Sequence, residues 1–215
     1  MADHTLADEV RGPKDIQHGM PIGYTKIANT GNGIVELLKE ALVPELLNSP
    51  DQIGLCSPED HGDFSVGIWL YDLKEDTDIK MHDMVDLGQK SQRYPSVYLV
   101  LRYMITLYLQ SDLKYRASQE HQIMGRIIQT FKDQALLDTE TLKPTEDRMG
   151  MNIRIQMQDL SIEEKMRIWS FPNVPYKTSL FYTAGPVEIK SAKTKTVRRV
   201  RDIQYQFTDQ RRGER

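Results

Sequence analysis

Thirteen consecutive residues in the middle of the chain alternate without interruption, and this pattern narrows the possible folds more than any other. Val97, Leu99, Leu101, Tyr103, Ile105, Leu107 and Leu109 point one way; Tyr98, Val100, Arg102, Met104, Thr106 and Tyr108 point the other. A period of two is that of a strand. The first face is wholly apolar and needs a covering layer, which helices supply most readily. Arg102 and the tyrosine hydroxyls on the second face predict partial exposure or contact with another protein.

Three helices are available for that layer. Ile34, Leu37, Leu38, Ala41 and Leu42 recur at three- and four-residue spacing, with Thr30 or Asn32 as a cap. Pro44 should end or kink this helix, leaving Glu45–Leu47 as a short continuation. Glu120 to Gln134 carries a stripe of Ile123, Met124, Ile127, Ile128 and Phe131. Ser161-Ile162-Glu163-Glu164 matches a capping box and starts a short helix aligning Ile162, Met166 and Trp169, ended by Pro172 and Pro175. Further strands are predicted at Ile53–Cys56, Val66–Tyr71, Asn152–Met157 and Lys177–Ile189, the last with a bend or bulge at Gly185-Pro186. Asp72–Tyr94 reads as a long loop with room for an irregular strand, and Asp138–Gly150 as a turn-rich connection. The expected fold is α+β, mixed α/β in content: a single domain with a mixed twisted sheet flanked by about three helices.

Composition excludes several classes of function. At 215 residues the chain can build one full core and is short for two. A net charge of −3 argues against nucleic acid as the main partner. No stretch approaches the roughly 18 apolar residues of a membrane span, so no membrane insertion is expected. The first residues lack the apolar core of a secretory signal, so synthesis and assembly in the cytoplasm are the expectation. Cys56 is the sole cysteine and cannot form an intrachain disulfide.

The residues that invite chemistry have simpler explanations. Glu59-Asp60-His61-Gly62-Asp63 carries metal-ligand types, yet no second cluster has the spacing to complete a site, so a solvated loop is expected; His82-Asp83 reads the same way. Gly31-Asn32-Gly33 lacks the preceding strand and the lysine of a phosphate-binding loop and reads as a turn. Cys56 suits a buried strand end better than a nucleophile, and Trp69 and Trp169 lie on apolar stripes, as core residues would. No catalytic residue, cofactor site or metal site is predicted; a small enzyme with an unrecognised site is the reading of last resort.

Charge is unevenly spread. From Lys190 to the end, nine Lys and Arg residues face Asp202, Asp209 and Glu214, and Thr196–Phe207 holds the β-branched and aromatic residues of an added strand. Three roles fit such a tail: a protein-docking arm, a grip on nucleic acid, or an inert solvated end. The docking arm is favoured, with Lys193, Lys195, Arg198, Arg199, Arg201, Ile203, Tyr205 and Phe207 as its contact residues. The chain then divides into a polar, Gly/Pro-containing leader (1–23), a core domain (24–191) and a basic arm (192–215).

Three groups of residues, in order, resemble the cap (tail terminator) family of extracellular contractile injection systems. The first is Leu160-Ser161-Ile162-Glu163-Glu164, Ile168-Trp169, Val174-Pro175-Tyr176-Lys177-Thr178-Ser179-Leu180-Phe181-Tyr182 and Val187-Glu188-Ile189-Lys190-Ser191. The second is Tyr98-Leu99-Val100-Leu101-Arg102-Tyr103 followed by the helix containing Met124-Gly125-Arg126-Ile127-Ile128-Gln129. The third is the first amphipathic helix leading to the Ser57-Pro58 turn. The resemblance spans roughly residues 24–191 and implies a tail-terminator-like fold without catalysis. It implies a ring of identical subunits, six-fold in expectation, on the distal end of an inner tube and sheath. The ring would end tube growth and anchor the last sheath layer of a phage-tail-like particle that some hosts release. The alternative within the same machine is a baseplate or adaptor protein.

Overall fold

The computed structural model describes residues 23–79, 83–88, 90–137 and 152–197. Among the described residues nine strands run in chain order: β1 (Ile53–Leu55), β2 (Val66–Glu75), β3 (Val85–Asp86), β4 (Ser91–Arg93), β5 (Val97–Leu107), β6 (Leu136–Leu137), β7 (Ile153–Met157), β8 (Ser179–Ile189) and β9 (Thr194–Thr196). Three α-helices accompany them: α1 (Lys26–Leu42), α2 (Leu113–Asp133) and α3 (Ile162–Ile168). Six strands form the main sheet in the order β1-β2-β5-β8-β7-β6, and β3-β4-β9 form a small second sheet. In the main sheet β1 lies parallel to β2 and every other pair is antiparallel, so the sheet is mixed and the fold α+β.

The alternating segment forms β5, at the centre of the main sheet between β2 and β8. Leu101, Tyr103, Ile105 and Leu107 are buried against α1 and α2, which contribute Ile34, Leu38, Leu42, Ile123, Ile127 and Phe131 to one core. The opposite face is also covered over part of its area. Met104, on the face expected to be partly exposed, packs with Phe181 and Trp169, and Trp69, Tyr71 and Phe171 surround them. Farther along that face Arg102 stays partly open and pairs with Asp72 at 3.2 Å, as its polarity required. Thr106 and Ser179 hydroxyls meet across β5 and β8 at 2.8 Å, which satisfies two buried polar groups with one bond.

Each irregularity in the sheet has a local consequence. Tyr71 is the extra residue of a bulge between Leu70 and Asp72. Its hydroxyl donates to Gln158 Oε1 at 3.1 Å, and Gln158 Nε2 donates to the Tyr182 carbonyl, tying β2 to the chain leaving β7. The register also shifts opposite Gly185-Pro186, where the sequence placed a bend.

Several expectations are corrected. The first helix starts at Lys26, so Thr30 and Asn32 lie inside it and cap nothing; the Thr30 hydroxyl instead donates to the Lys26 carbonyl at 2.8 Å. Gly31 and Gly33 are helical and buried, not a turn. A β-carbon on Gly31 would sit 3.1 Å from Leu55 Cδ1 and 3.5 Å from the Tyr103 hydroxyl, so the helix needs a small residue there to lie close to the sheet. The helix ends at Leu42 as Pro44 dictates, but Leu46 and Leu47 N–H groups both donate to the Leu42 carbonyl in a turn, with no further helix. α2 begins seven residues earlier than the apolar stripe suggested, capped by Asp112, whose carboxylate accepts from the Lys114 N–H. Ile128 in its stripe is exposed, as are Ile162 and Met166 of α3. The α3 capping box forms as read, with the Ser161 N–H donating to Glu164 Oε2 at 2.8 Å and the Glu164 N–H to Ser161 Oγ at 3.2 Å. The Asp72–Tyr94 loop is shorter than expected, because β2 runs on to Glu75 and the segment supplies β3 and β4. The leader up to residue 22, the Asp138–Gly150 connection and His82 lie outside the described residues.

Candidate assembly interface

The two ends of β5 differ in what they carry. At its start, β4 leads into β5 and β8 leads on to β9, so the small sheet hangs from this end of the main one. Its register pairs Ser91 with Thr196, Gln92 with Lys195 and Arg93 with Thr194. The Tyr94 N–H donates to the Lys193 carbonyl at 3.1 Å and the Val197 N–H to the Lys90 carbonyl at 2.9 Å. The beginning of the basic arm is therefore a strand of its own chain. Lys193 Nζ sits 4.6 Å from the centre of the Tyr94 ring, and Lys195 is exposed opposite Gln92. Of the predicted contact residues these two are placed; Arg198, Arg199, Arg201, Ile203, Tyr205 and Phe207 lie outside the described residues. Among the described residues β9 has β4 on one side and no strand on the other, and it is exposed throughout, as the outer strand of the small sheet. The sequence signal for this sheet was slight: Val85 and two threonines among charged and polar neighbours.

At the other end of β5, β1 forms one margin of the main sheet and the Ser57–Ser65 loop joins it to β2. Phe64 packs over Gly54, where any β-carbon would strike the ring. His61 stacks on Tyr108 with ring centres 4.0 Å apart, which assigns this histidine a packing role, while Glu59, Asp60 and Asp63 stay exposed. Among the described residues no group of three His, Cys, Asp or Glu residues is arranged to hold a metal ion.

Cys56 is partly buried between these elements, and burial lifts its thiol from 9.0 to about 11, with Asp60 adding to the effect. A raised pKa leaves less thiolate at neutral pH, the opposite of an activated nucleophile. Alkylation of Cys56 in the folded chain near neutral pH is expected to be about 100-fold slower than that of an exposed thiol. Mass-spectrometric timing of iodoacetamide uptake checks this; reaction at the rate of the unfolded chain would contradict it.

Two surface clefts lie among the described residues. One, of about 340 Å³, lies beneath the start of α2 and is lined by Leu46, Asn48, Gln52, Asp63, Ser111 and Gln119 among others. The second, about 320 Å³, runs between α1 and α2, where Arg126 Nε donates to the Ala41 carbonyl at 3.2 Å. The second is lined by two carboxylates, Glu40 and Asp133, both exposed, with Arg126 and Thr130 beside them; the first holds a single carboxylate, Asp63, also exposed. Some large apolar side chains are exposed: Leu113 (79%), Tyr115 (61%), Ile162 (56%) and Met166 (53%) lie on two helices against opposite faces of the main sheet. Exposed apolar helix faces and open strand margins serve contacts between chains. No helix among the described residues is long and apolar enough to cross a membrane.

Comparison with known proteins gives this arrangement a context. A family model described as the Pvc16 N-terminal domain matches residues 30–202. The sheath/tube terminator of an extracellular contractile injection system termed PVC, in its extended state, has a similar fold: TM-score 0.60, 14% identity, covering 90% of this chain and 65% of that one. The anti-feeding prophage tube terminating cap is also similar, with TM-score 0.54 and 16% identity over 83% of this chain and 60% of that one. The chain thus spans less than two thirds of the length of either. No curated protein matches it in sequence. The family match and the resemblance read from residues 24–191 cover nearly the same stretch.

Proposed function

Because the chain belongs to the Pvc16 N-terminal domain family, we propose that it is a structural terminator of a contractile injection system. Copies of the chain form a ring, six-fold in this reading, on the last layer of inner tube and sheath. The ring stops tube growth and holds the final sheath layer. It assembles in the cytoplasm and acts by contact, without catalysis. The observation that carries this reading is the family match over residues 30–202, joined to a fold similar to that of two proteins described as a tube terminator and a tube cap. The physical features agree with it: open strand margins, exposed apolar helix faces, and a raised thiol in place of a nucleophile.

The basic arm belongs to this proposal as a docking element. Its first strand is fixed on the small sheet, and the residues beyond it carry cations toward acidic surfaces of a sheath subunit or an adjacent copy. Such charges set register and rate of encounter more than affinity.

A deletion strain tests the reading. Loss of a terminator should leave tubes that are over-long or stripped of sheath, scored by electron microscopy of purified particles. A strain that makes no particle at all would point to a baseplate or adaptor role, and normal particles would remove the chain from assembly.

A further inference from the structure

The cleft of about 340 Å³ beneath the start of α2 has two unlike walls. Gln52 braces the first. Its Oε1 accepts from the Asn48 and Ser49 N–H groups at 3.1 and 3.3 Å, and its Nε2 donates to Ser65 Oγ at 3.3 Å. These bonds lock the turn after α1 to the residues just before β2. The floor is aliphatic: Leu47 and Leu109 are buried and Leu46 is half-buried. The second wall is Ser111 with Gln119, the latter in the half of α2 that buries no side chain. Two bonds from Arg116 to the Ser111 carbonyl, at 3.1 and 2.7 Å, hold the corner where this wall starts. Ser111 Oγ is buried, and among the described residues it has no hydrogen-bond partner. Asn48, Gln110 and Gln119 bring three carboxamides to the same space, and Asp63 is the one charged group in the lining. The cleft opens where β5 ends. The segments not described join the fold nearer the start of β5: before Gly23, which lies against Lys190, between Leu137 and Ile153, and after β9.

This lining selects a kind of ligand. A single exposed carboxylate gives an ion little to hold. A sugar ring seeks an open aromatic face, and Tyr108, the aromatic residue of the lining, is buried and stacked with His61 at 4.0 Å. A carboxamide carries the donors and acceptor that a peptide group also carries, so the two pair readily. An aliphatic floor accepts an aliphatic side chain, and the volume is at the small end of ligand clefts, suited to one such side chain and its flanking peptide groups. We propose that the cleft binds a neutral peptide segment of another chain. One aliphatic side chain sits on Leu46, Leu47 and Leu109, while Asn48, Gln110, Gln119 and Ser111 Oγ bond the main chain on either side of it. The bound segment lies against the weakly anchored half of α2 and steadies it. This inference stands apart from the terminator reading and needs no ring.

Photo-labelling of the full-length chain tests it. The probe is acetyl-Gly-photoleucine-Gly-amide, in which a diazirine replaces part of the leucine side chain, and mass spectrometry locates the label. Label is expected in residues 46–52 and 109–119. Excess acetyl-Gly-Leu-Gly-amide should abolish it, whereas acetyl-Gly-Asp-Gly-amide and maltose should leave it unchanged. Gln119→Arg is expected to cut the label about tenfold, since a longer charged side chain then enters the cleft. Gln122→Arg, on the same helix and outside the lining, should keep it. Melting of both variants like the unaltered chain separates this loss from misfolding. With acetyl-Gly-Leu-Gly-amide at saturation, amide exchange in residues 113–119 should slow at least about threefold, with no change over Ile123–Phe131. Label scattered over the surface, or none in the cleft of the full-length chain, overturns the proposal; a cleft filled by another part of the same chain would give that result. Competition by maltose would make the cleft a carbohydrate site, and equal competition by the Asp peptide would remove the aliphatic seat. A label indifferent to Gln119→Arg would place the binding elsewhere.

Discussion

A Phe181→Ala chain is expected to lose about 4 kcal/mol of stability, enough to populate the unfolded state of an ordinary domain. Phe181 is 2% exposed and packs with Met104 and Trp169 on the face of the main sheet away from α1 and α2. The Tyr71 ring meets it edge-on at 5.8 Å. Around it are side chains from three separate elements, β2, β5 and the turn after α3, so the cavity left by an alanine has no single neighbour that could collapse into it. Urea denaturation should show the midpoint falling with an unchanged slope. A loss under about 1 kcal/mol would mean that the second layer is loosely applied and that the helical face alone holds the fold.

Removing residues 192–215 is expected to separate function from folding. The shortened chain loses β9 and its ladder with β4, the flanking backbone hydrogen bonds Tyr94 to Lys193 and Val197 to Lys90, and the Lys193–Tyr94 contact. β9 is exposed throughout, and the loss should cost about 2 kcal/mol or less. The described part of this stretch, residues 192–197, gives no buried residue to the six-stranded sheet or its two layers, and melting is expected to stay near that of the whole chain. In the proposed role the arm docks the ring, and complementing a deletion strain with the shortened chain should give tubes of uncontrolled length. Particles of normal length from a shortened chain would show that the arm is dispensable and the body alone caps. A shortened chain that fails to fold would show the small sheet to be part of the core after all.

How much of this was legible beforehand depended on whether a segment's surroundings are local. β5 announced itself because both neighbours of a central strand demand strict alternation, and the α3 capping box because its two hydrogen bonds join residues three apart. The burial of Met104 was hidden because the side chains that cover it, Trp169 and Phe181, come from far along the chain. Gly31 read as part of a turn for the same reason: Leu55 and Tyr103, which demand a small residue at that point of the helix, are remote in sequence. The first seven residues of α2 carry no apolar period, and Asp112 was the one available sign. Ile162 and Met166 show the converse error, since helical spacing says which residues share a face and not whether anything lies over it. The strands of the small sheet, two or three polar residues each, fall below any periodic signal. For the interface, the arm was visible as charge along the sequence.

Residues 113–122 of α2 bury no side chain, whereas the rest of the helix is anchored by Ile123, Ile127 and Phe131. One continuous rod thus has a moored half and a half held by its own backbone bonds, the Asp112 cap and the Arg116 side chain's bonds to the Ser111 carbonyl. With so little burial this half belongs to the low-stability end of the domain, and a surface laid along it would steady it. Seating a neighbour there has an ordering cost which grows with each turn engaged, so contact would zip outward from Ile123, making the grip graded and not all-or-none.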